Sequence, residues 1–519
     1  MDMNQDQPVR SQNPLKEAHV FKYFPDLKSH QVFASLGILL VLIAYGWLIS
    51  DGSWTQWPTT TTDYAQLASS FQHGSLSLEI KPDPALLALP NPYDPGQRHH
   101  VTYLLDVSLY NGRYYLYFGP VPALFLLALR FLGLGNIGDQ YFAFAFISGM
   151  LVFQSLLIVK IWKRFFKNIP AWVIPFCILF CGLISPIPWI LTAAQVYDAA
   201  IAGGQFFFLG GLYFLITALD RESISVGQLL VAGTSWALAI GCRLTLIVPI
   251  GFVMFMVACW AFRTYSRTRR FSTAVRPLIP LTSPLVLGLA ALGWYNWARF
   301  DSVFETGFIY QLAGPFLQLY RHVLFSPLYI LPNLYDYLLV RPKIIRIFPF
   351  LESGVGSGAS RFPFISLPRV YYANSLTGIL PSTPFVLFAF IPMAFLLLRK
   401  KSVENQADQY LFNWLTISLA GSFAFGFAPL VMFFWLAPRY AADFIPSLIL
   451  LSIVGFWQGY RFAMDKPSLR KLYVAVGMIL MAISVIISIL LVLSEHAAQF
   501  QQFNPALWHD LINFFPRLH

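Results

Sequence analysis

The run Y-L-Y-F-G-P-V-P-A-L-F-L-L-A-L-R-F-L-G-L (residues 115–134) decides the topology of this chain. A membrane-spanning helix takes about 20 mainly apolar residues, and this run has that length. It also carries Pro120, Pro122 and Arg130. Eleven other apolar runs read as spans, near 32–50, 141–160, 171–193, 199–219, 226–242, 244–262, 278–298, 376–398, 411–436, 441–459 and 472–494. Short loops rich in Lys and Arg mark the cytoplasmic side of a membrane. Four loops qualify: 160–167 with four such residues, 263–276 with five, 399–401 with three and 461–471 with four. They share one side with the N-terminal segment only if 115–134 does not cross. The run is therefore expected to lie against, or dip into, the outer face. The rival, a twelfth span, would put 160–167 outside.

The composition agrees with a membrane setting. Of 519 residues, 57% are hydrophobic and 11% charged, against about 25% charged in a soluble domain. So little charge cannot coat a soluble protein of this size. That excludes a soluble enzyme, a disordered chain and a disulfide scaffold, and leaves an all-α polytopic membrane protein. The 49 Phe, 25 Tyr and 14 Trp suit membrane packing and interfacial belts. The net charge of +11 comes mostly from Lys and Arg on the predicted cytoplasmic side. No stretch is long and polar enough for a nucleic-acid-binding domain. Cys177, Cys181, Cys242 and Cys259 lie in apolar runs without metal-ligand spacing. The first apolar run starts near Val32 with no small-residue cleavage site after it, so no cleavable signal peptide is read.

This reading divides the chain into a cytoplasmic segment (1–31), a transmembrane domain (32–494) and an outer tail (495–519). Two long outer loops, 51–140 and 299–375, interrupt the domain. Long loops are uncommon unless they carry function or their own structure, so chemistry is expected on the outer face. No internal repeat and no phosphate-binding loop is present.

The first loop opens with T-T-T-T-D-Y-A-Q-L-A-S-S-F-Q-H-G (59–74). Apolar residues at 64, 65, 67, 68 and 71 have helical spacing, with Thr62 or Asp63 at the N-cap. Asp63 is either that cap or a working carboxylate. Further on, Asn111-Gly112 reads as a tight turn flanked by short strands. Tyr103, Tyr110, Tyr114, Tyr115, Tyr117, Arg113 and Asp106 gather around it, as an aromatic interface hairpin or as a binding surface. His99 and His100 lack companions for a zinc site. Other polar groups stand at predicted outer span ends: Tyr197-Asp198, Gly241-Cys242-Arg243-Leu244-Thr245, and Pro438-Arg439-Tyr440 with Asp443. Each has a plain reading as an interfacial anchor or a helix cap. Ionisable groups near spans are costly, so their convergence on one face favours function.

An acid soon after the first span, the Y-A-Q-L-A-S-S-F-Q-H-G helix, and the stretch G-R-Y-Y-L-Y-F-G-P-V-P-A-L (112–124) together resemble the GT-C superfamily. These are membrane glycosyltransferases that use lipid-linked sugars. The pattern is most similar to the bacterial RgtA/B/C/D-like, PMT-2-like branch. The resemblance implies a GT-C-type bundle of about 11 transmembrane helices, whose long first extracytoplasmic loop bears juxtamembrane helices. It makes 115–134 one of those helices and Asp63 the first-loop catalytic acid, although Tyr64 stands where relatives often carry a second acid. Asp106 is the candidate for that second carboxylate. Gly112, Tyr114, Tyr115 and Pro122 match the motif before the juxtamembrane helix.

The implied reaction is inverting transfer of a sugar from a polyprenyl-phosphate donor to a glycan or lipid acceptor. Its leaving group is an anionic phosphate, so Arg243 and Arg439 are expected to bind it. Tyr64, Tyr110, Arg113, Tyr114, Tyr115, Tyr197, Asp198, Glu305, Tyr310, Gln311 and Tyr440 are the expected substrate contacts. No metal ligands are assigned, and Mg²⁺ or Mn²⁺ stays open as a cofactor. The Gly/Ser-rich segment 352–360 reads as an acceptor lid or a linker. The expected setting is the inner (cell) membrane, with the N-terminus cytoplasmic and the C-terminus outside. Two alternatives stand: a lipid-linked-sugar or solute transporter, and an oligosaccharide ligase or polymerase using a lipid diphosphate.

Overall fold

The computed structural model describes residues 29–133, 137–192, 194–220, 224–269, 271–402 and 405–515. The expected N-terminal segment therefore lies, up to Lys28, outside the described residues. Among the described residues, seven helices are long and apolar enough to cross a membrane. They are Ser29–Ile49, Asp139–Phe165, Val196–Leu219, Leu244–Ser266, Val275–Phe300, Gln406–Val431 and Pro467–Glu495. The chain is thus a multi-pass helical membrane protein. The other four expected spans take other forms. Val226–Cys242 has 17 residues and Ile445–Phe462 has 18. The 171–193 run divides at Ile184–Pro186 into Val173–Leu183 and Ile187–Leu191. The 376–398 run holds the short helix Ile379–Ser382, a 3-10 turn over Pro384–Ala389 and then Phe390–Leu397. Proline supplies no amide for an interior helical bond and clashes with the preceding turn, and Pro186 and Pro384 stand at breaks in these two runs.

The deciding run forms the helix Val121–Phe131, 11 residues long. At 1.5 Å per residue that is about 16 Å, roughly half of a bilayer's hydrocarbon core. It also returns to the end it left. Thr59, just beyond the first helix, takes a 2.7 Å hydrogen bond from Gln140 at the start of the Asp139–Phe165 helix. The Asp139 amide donates to the Thr61 carbonyl at 3.2 Å. Both long helices therefore meet at one end of the bundle, and 121–131 lies between them without crossing. At the opposite end Asp220 pairs with Lys160 at 2.8 Å and with Arg164, which also pairs with Asp408. Arg461 donates to the Phe165 carbonyl and Arg263 lies over the Tyr410 ring, so three of the four basic loops gather at the end away from the long loops.

Within the first long loop, helix Asp63–Gln72 buries Tyr64, Ala65, Leu67 and Ala68, the face its spacing predicted. Strands β1 (Ser108–Tyr110) and β2 (Arg113–Tyr115) form the antiparallel hairpin, Leu109 opposite Tyr114. Asn111 and Gly112 both have positive φ, +46° and +71°, the backbone of the turn that matches the twist of a two-residue hairpin. The second long loop packs on this hairpin. Leu312 donates to the Val107 carbonyl at 2.8 Å, and Ser108 bridges to Gln311. At its far side, Ser326 and Tyr372 amides bond to the carbonyls of Met432 and Phe434. The tail helices Ala497–Phe503 and Pro505–Phe514 fold back on the bundle, burying Phe500 and Trp508 with Phe348 and Leu493.

Candidate functional site

A cavity of about 410 Å³ opens at the loop end of the bundle. Its walls come from distant parts of the chain: the 117–119 segment after β2, the Arg243 turn, the end of the Val275–Phe300 helix, the 306–317 segment, and residues 429–440. The Gly119 backbone makes part of this possible, because a Cβ there would collide with the Gly241 carbonyl. That contact draws the start of the 121–131 helix onto the Arg243 turn.

The lining includes apolar and aromatic residues, among them Phe308, Leu317, Phe325, Phe433, Phe434 and Trp435. It also includes Asp106, Tyr117, Tyr197, Arg243, Asn296, Arg299, Gln311, Arg439 and Tyr440. The three arginines differ in their partners. Arg243 Nη2 and Nε sit 2.9 Å and 3.0 Å from Asp443 Oδ2, which also accepts from the Thr245 hydroxyl at 3.1 Å. The Asp443 side chain is 1% exposed, so this is a buried, matched pair. Arg299 donates to the Leu116 carbonyl, the Asn296 amide oxygen and the Tyr295 carbonyl, at 2.7, 2.9 and 3.2 Å. Its plane lies 3.7 Å from the Tyr295 ring centroid. Arg299 thus bolts the helix end to Leu116, just after β2.

Arg439 has no ion pair and no hydrogen bond to a described residue, and its Nε is buried. It lies 4.0 Å over the Tyr197 ring and 5.2 Å from Tyr440. Asp198 sits behind Tyr197. One of its oxygens accepts the Gln195 amide at 3.0 Å, and the other is buried without a partner. Of the three arginines lining the cavity, Arg439 is the one whose donors remain for a ligand.

Asp106 is the carboxylate on the wall. Its backbone is left-handed, with φ +58°, a region that non-glycine residues enter at a cost of about 1–2 kcal/mol. Gln311 Nε2 donates to its Oδ1 at 3.0 Å. Burial raises its pKa, while Arg439 and the Gln311 amide pull it back. Asp63 lies off the wall, half-buried in the first turn of its helix. It does not cap that helix. Asp139 does so from 76 positions away, accepting from the Thr61 hydroxyl and the Asp63 and Tyr64 amides at 2.6, 3.1 and 3.3 Å. Burial pushes the Asp63 carboxyl up to about 6, and the Asp139 and Asp106 charges add to the rise.

The remaining expected contacts fall in three groups: lining, buried, and on the loops outside the cavity. Tyr197, Gln311 and Tyr440 line the cavity. Tyr64, Tyr114 and Tyr115 are buried in the packing of the first loop. Tyr110 donates to Asp301 at 3.1 Å and packs against Tyr310 with ring centroids 4.8 Å apart, and Arg113 is exposed at the hairpin turn. Glu305 accepts the Gly307 amide at 2.7 Å and shapes its own turn. The Gly/Ser segment is held down, since Asp336 Oδ1 accepts the Ser357 and Gly358 amides at 3.0 and 2.8 Å. The residues sequence reasoning passed over are Asn296, Arg299 and the Phe433, Phe434 and Trp435 aromatics. W-Y-N-W-A-R (294–299) at a span end, and F-F-W just before Pro438, were the available signals.

Among the described residues no three His, Cys, Asp or Glu side chains are close enough to share an ion. The acid nearest Asp63, Asp139, has its oxygens turned to a helix terminus.

No family model matches the chain, and no curated protein matches it. Among solved structures it is similar to the Archaeoglobus fulgidus oligosaccharyltransferase in its apo form, with a TM-score of 0.47 and 11% identity over 93% of this chain and 57% of that one. It is also similar to the archaeal oligosaccharyltransferase AglB from Archaeoglobus fulgidus, solved with an inhibitory peptide and a dolichol-phosphate. There the TM-score is 0.36 and the identity 12%, over 93% of this chain and 56% of that one. The chain spans a little over half the length of each.

Proposed function

We propose that this chain is an inverting glycosyltransferase of GT-C type, which moves a sugar from a polyprenyl-phosphate donor to a glycan or lipid acceptor on the extracytoplasmic face. The observation that carries the reading is one cavity lined by aromatic residues, by a half-buried cation without an ion pair, Arg439, and by a carboxylate, Asp106. An isoprenoid phosphate suits such a lining. The chain meets aromatic side chains and the phosphate meets a half-buried cation through a charge-assisted bond. The basic loops at the opposite end agree with an outward-facing cavity.

In this reading the acceptor oxygen attacks the anomeric carbon as the bond from that carbon to the phosphate oxygen breaks. The configuration inverts, the acceptor proton passes to Asp106, and the polyprenyl phosphate leaves with a gain of negative charge beside Arg439. Interactions that strengthen as charge develops are the ones that accelerate such a step. Asp106 takes the role of base ahead of Asp63, because Asp106 stands on the wall. Its raised pKa makes it a better base than an ordinary carboxylate. No step is routed through a metal.

Arg243 is matched by Asp443, and Arg299 is spent on protein oxygens. One free cation suits the single charge of a phosphodiester, which favours the monophosphate donor over a lipid diphosphate. The test uses the detergent-solubilised protein and decaprenyl methyl phosphate, a lipid phosphodiester without a second ionisation. Arg439→Met is expected to weaken its binding about 10- to 100-fold, the value of one charged hydrogen bond. Asp106→Asn is expected to keep binding of this probe and, with a polyprenyl-phosphate-linked sugar and an acceptor supplied, to lose transfer. Unchanged affinity in Arg439→Met would remove the cavity from consideration as a donor site.

A further inference from the structure

We propose that Arg98 is a positioning residue, which clamps the 311–313 segment against 106–108 and so fixes where the Asp106 carboxylate stands. The inference rests on the cavity reading above and adds to it a residue outside the cavity wall.

Arg98 is 2% exposed, deep within the first long loop. Its Nη2 donates to the Ala313 carbonyl at 2.6 Å, across 215 positions of sequence. The guanidinium lies 4.5 Å from the Tyr103 ring centroid. Its Nε and Nη1 are buried with no partner, and no carboxylate is paired with it. A buried cation with two orphan donors is a poor source of stability, since an apolar side chain of like size would fill the space without the desolvation cost. What it supplies is one strong directional bond, aimed at one carbonyl.

That carbonyl belongs to the segment that holds Asp106. The Asp106 amide donates to the Leu312 carbonyl at 3.2 Å, and the Leu312 amide donates to the Val107 carbonyl at 2.8 Å. Gln311, next in line, directs its amide to the Asp106 carboxylate at 3.0 Å. Ser108 adds a 2.8 Å bond to the Gly307 carbonyl. Asp106 holds a left-handed backbone between these bonds, with φ +58°. A disfavoured conformation persists only where the surroundings over-determine it. Arg98 closes that set by fixing the residue after Leu312. If the clamp loosens, Gln311 no longer steadies the ionised carboxylate.

The readout is the pH dependence of decaprenyl methyl phosphate binding to the full-length protein. Ionised Asp106 repels the probe, so affinity falls as pH rises through the Asp106 midpoint. The other charged or titratable groups acting on Asp106, or acted on by it, are Arg439, Asp63, Tyr117 and Tyr197. Asp63→Asn is therefore run as a control and should still show a midpoint, displaced if at all downward, because it removes a like charge. Asp106→Asn should abolish it. Arg98→Met is expected to raise the midpoint by about half a pH unit or more, the value of a lost hydrogen bond to the charged form. Arg98→Lys keeps a cationic donor for Ala313 and should restore it. If the wild type does not bind the probe, or Asp106→Asn keeps the midpoint, the cavity reading fails. If those two behave as expected and Arg98→Met leaves the midpoint in place, the clamp is refuted. A shift in Arg98→Lys as large as that in Arg98→Met overturns it too. Should Arg98→Met not fold, Tyr103→Leu loosens the arginine from below. It must raise the midpoint, and an unmoved midpoint refutes the proposal.

Discussion

Arg243 and Arg439 look alike in sequence, and the difference assigned to them can be tested by breaking the Arg243–Asp443 pair. The two side chains are 15% and 1% exposed, with contacts of 2.9, 3.0 and 3.3 Å. At about 3 Å and an effective dielectric constant near 20, their attraction is roughly 5 kcal/mol. Removing one partner of a buried pair typically costs about 3–5 kcal/mol, because the survivor stays buried and unmatched. Asp443→Leu should therefore lower the melting temperature in detergent by roughly 6–10 °C, at about 2 °C per kcal/mol for a large domain. Arg243→Met should cost a similar amount. The double variant should recover most of the loss, since an apolar pair of similar volume dispenses with both desolvation costs. Four melting curves complete the cycle. If the double variant is as unstable as the sum of the singles, the residues are not coupled and Arg243 regains its claim on the phosphate. If Asp443→Leu melts with the wild type, the matched-pair argument is wrong at its first step.

Two further outcomes follow from carboxylates that no cation matches. Asp63 holds its proton up to about pH 6 in the fold, against about 3.9 in an unfolded chain. The wild type therefore loses stability as pH rises between those values, and Asp63→Asn does not. The variant's advantage, about 1–2 kcal/mol after discounting for solvent screening, is full above about pH 6 and absent below about pH 4. Melting curves across this range check it, and a variant less stable than the wild type at pH 8 contradicts it. Asp336→Ala removes the acceptor for the Ser357 and Gly358 amides, so hydrogen exchange over 354–361 should quicken about 10-fold or more. Unchanged exchange there would show that other contacts pin the segment.

The fold was most legible where local chemistry settles the backbone. Asn-Gly between short apolar strands gave the hairpin, because few other pairs accept two positive φ angles. Spacing alone gave the buried face of 63–72. The basic loops gave the return of 115–134, since placing Lys160 and Arg164 on the wrong side carries a real cost. Less legible were runs whose composition is apolar throughout. In 171–193 and 376–398, hydropathy counts every Leu and Phe alike, while Pro186 and Pro384 decide where a helix can form. The cap of 63–72 was hidden for another reason. Its acceptor, Asp139, is 76 residues away, and no window of sequence contains both.

The site was legible as a set of residues and illegible as a set of pairings. Arg243, Arg439, Asp106, Gln311, Tyr197 and Tyr440 do meet at one cavity; Arg243, Arg439, Tyr197 and Tyr440 were nominated as polar groups at span ends, Asp106 and Gln311 from the two long loops. What a charge can do there depends on what already neutralises it. Asp443 lies four residues from Arg439, one helical turn away in a regular helix, so sequence spacing would pair those two. The 438–443 segment is a 3-10 turn instead, and it delivers Asp443 to Arg243, 200 residues distant. Arg439 is left on the cavity wall with its donors unspent. The local backbone, three residues per turn in place of 3.6, therefore decides which arginine is structural and which is free to meet an anion. A change that regularised this turn would be expected to exchange the two roles, which is why the melting cycle on Arg243 and Asp443 bears on function as much as on stability.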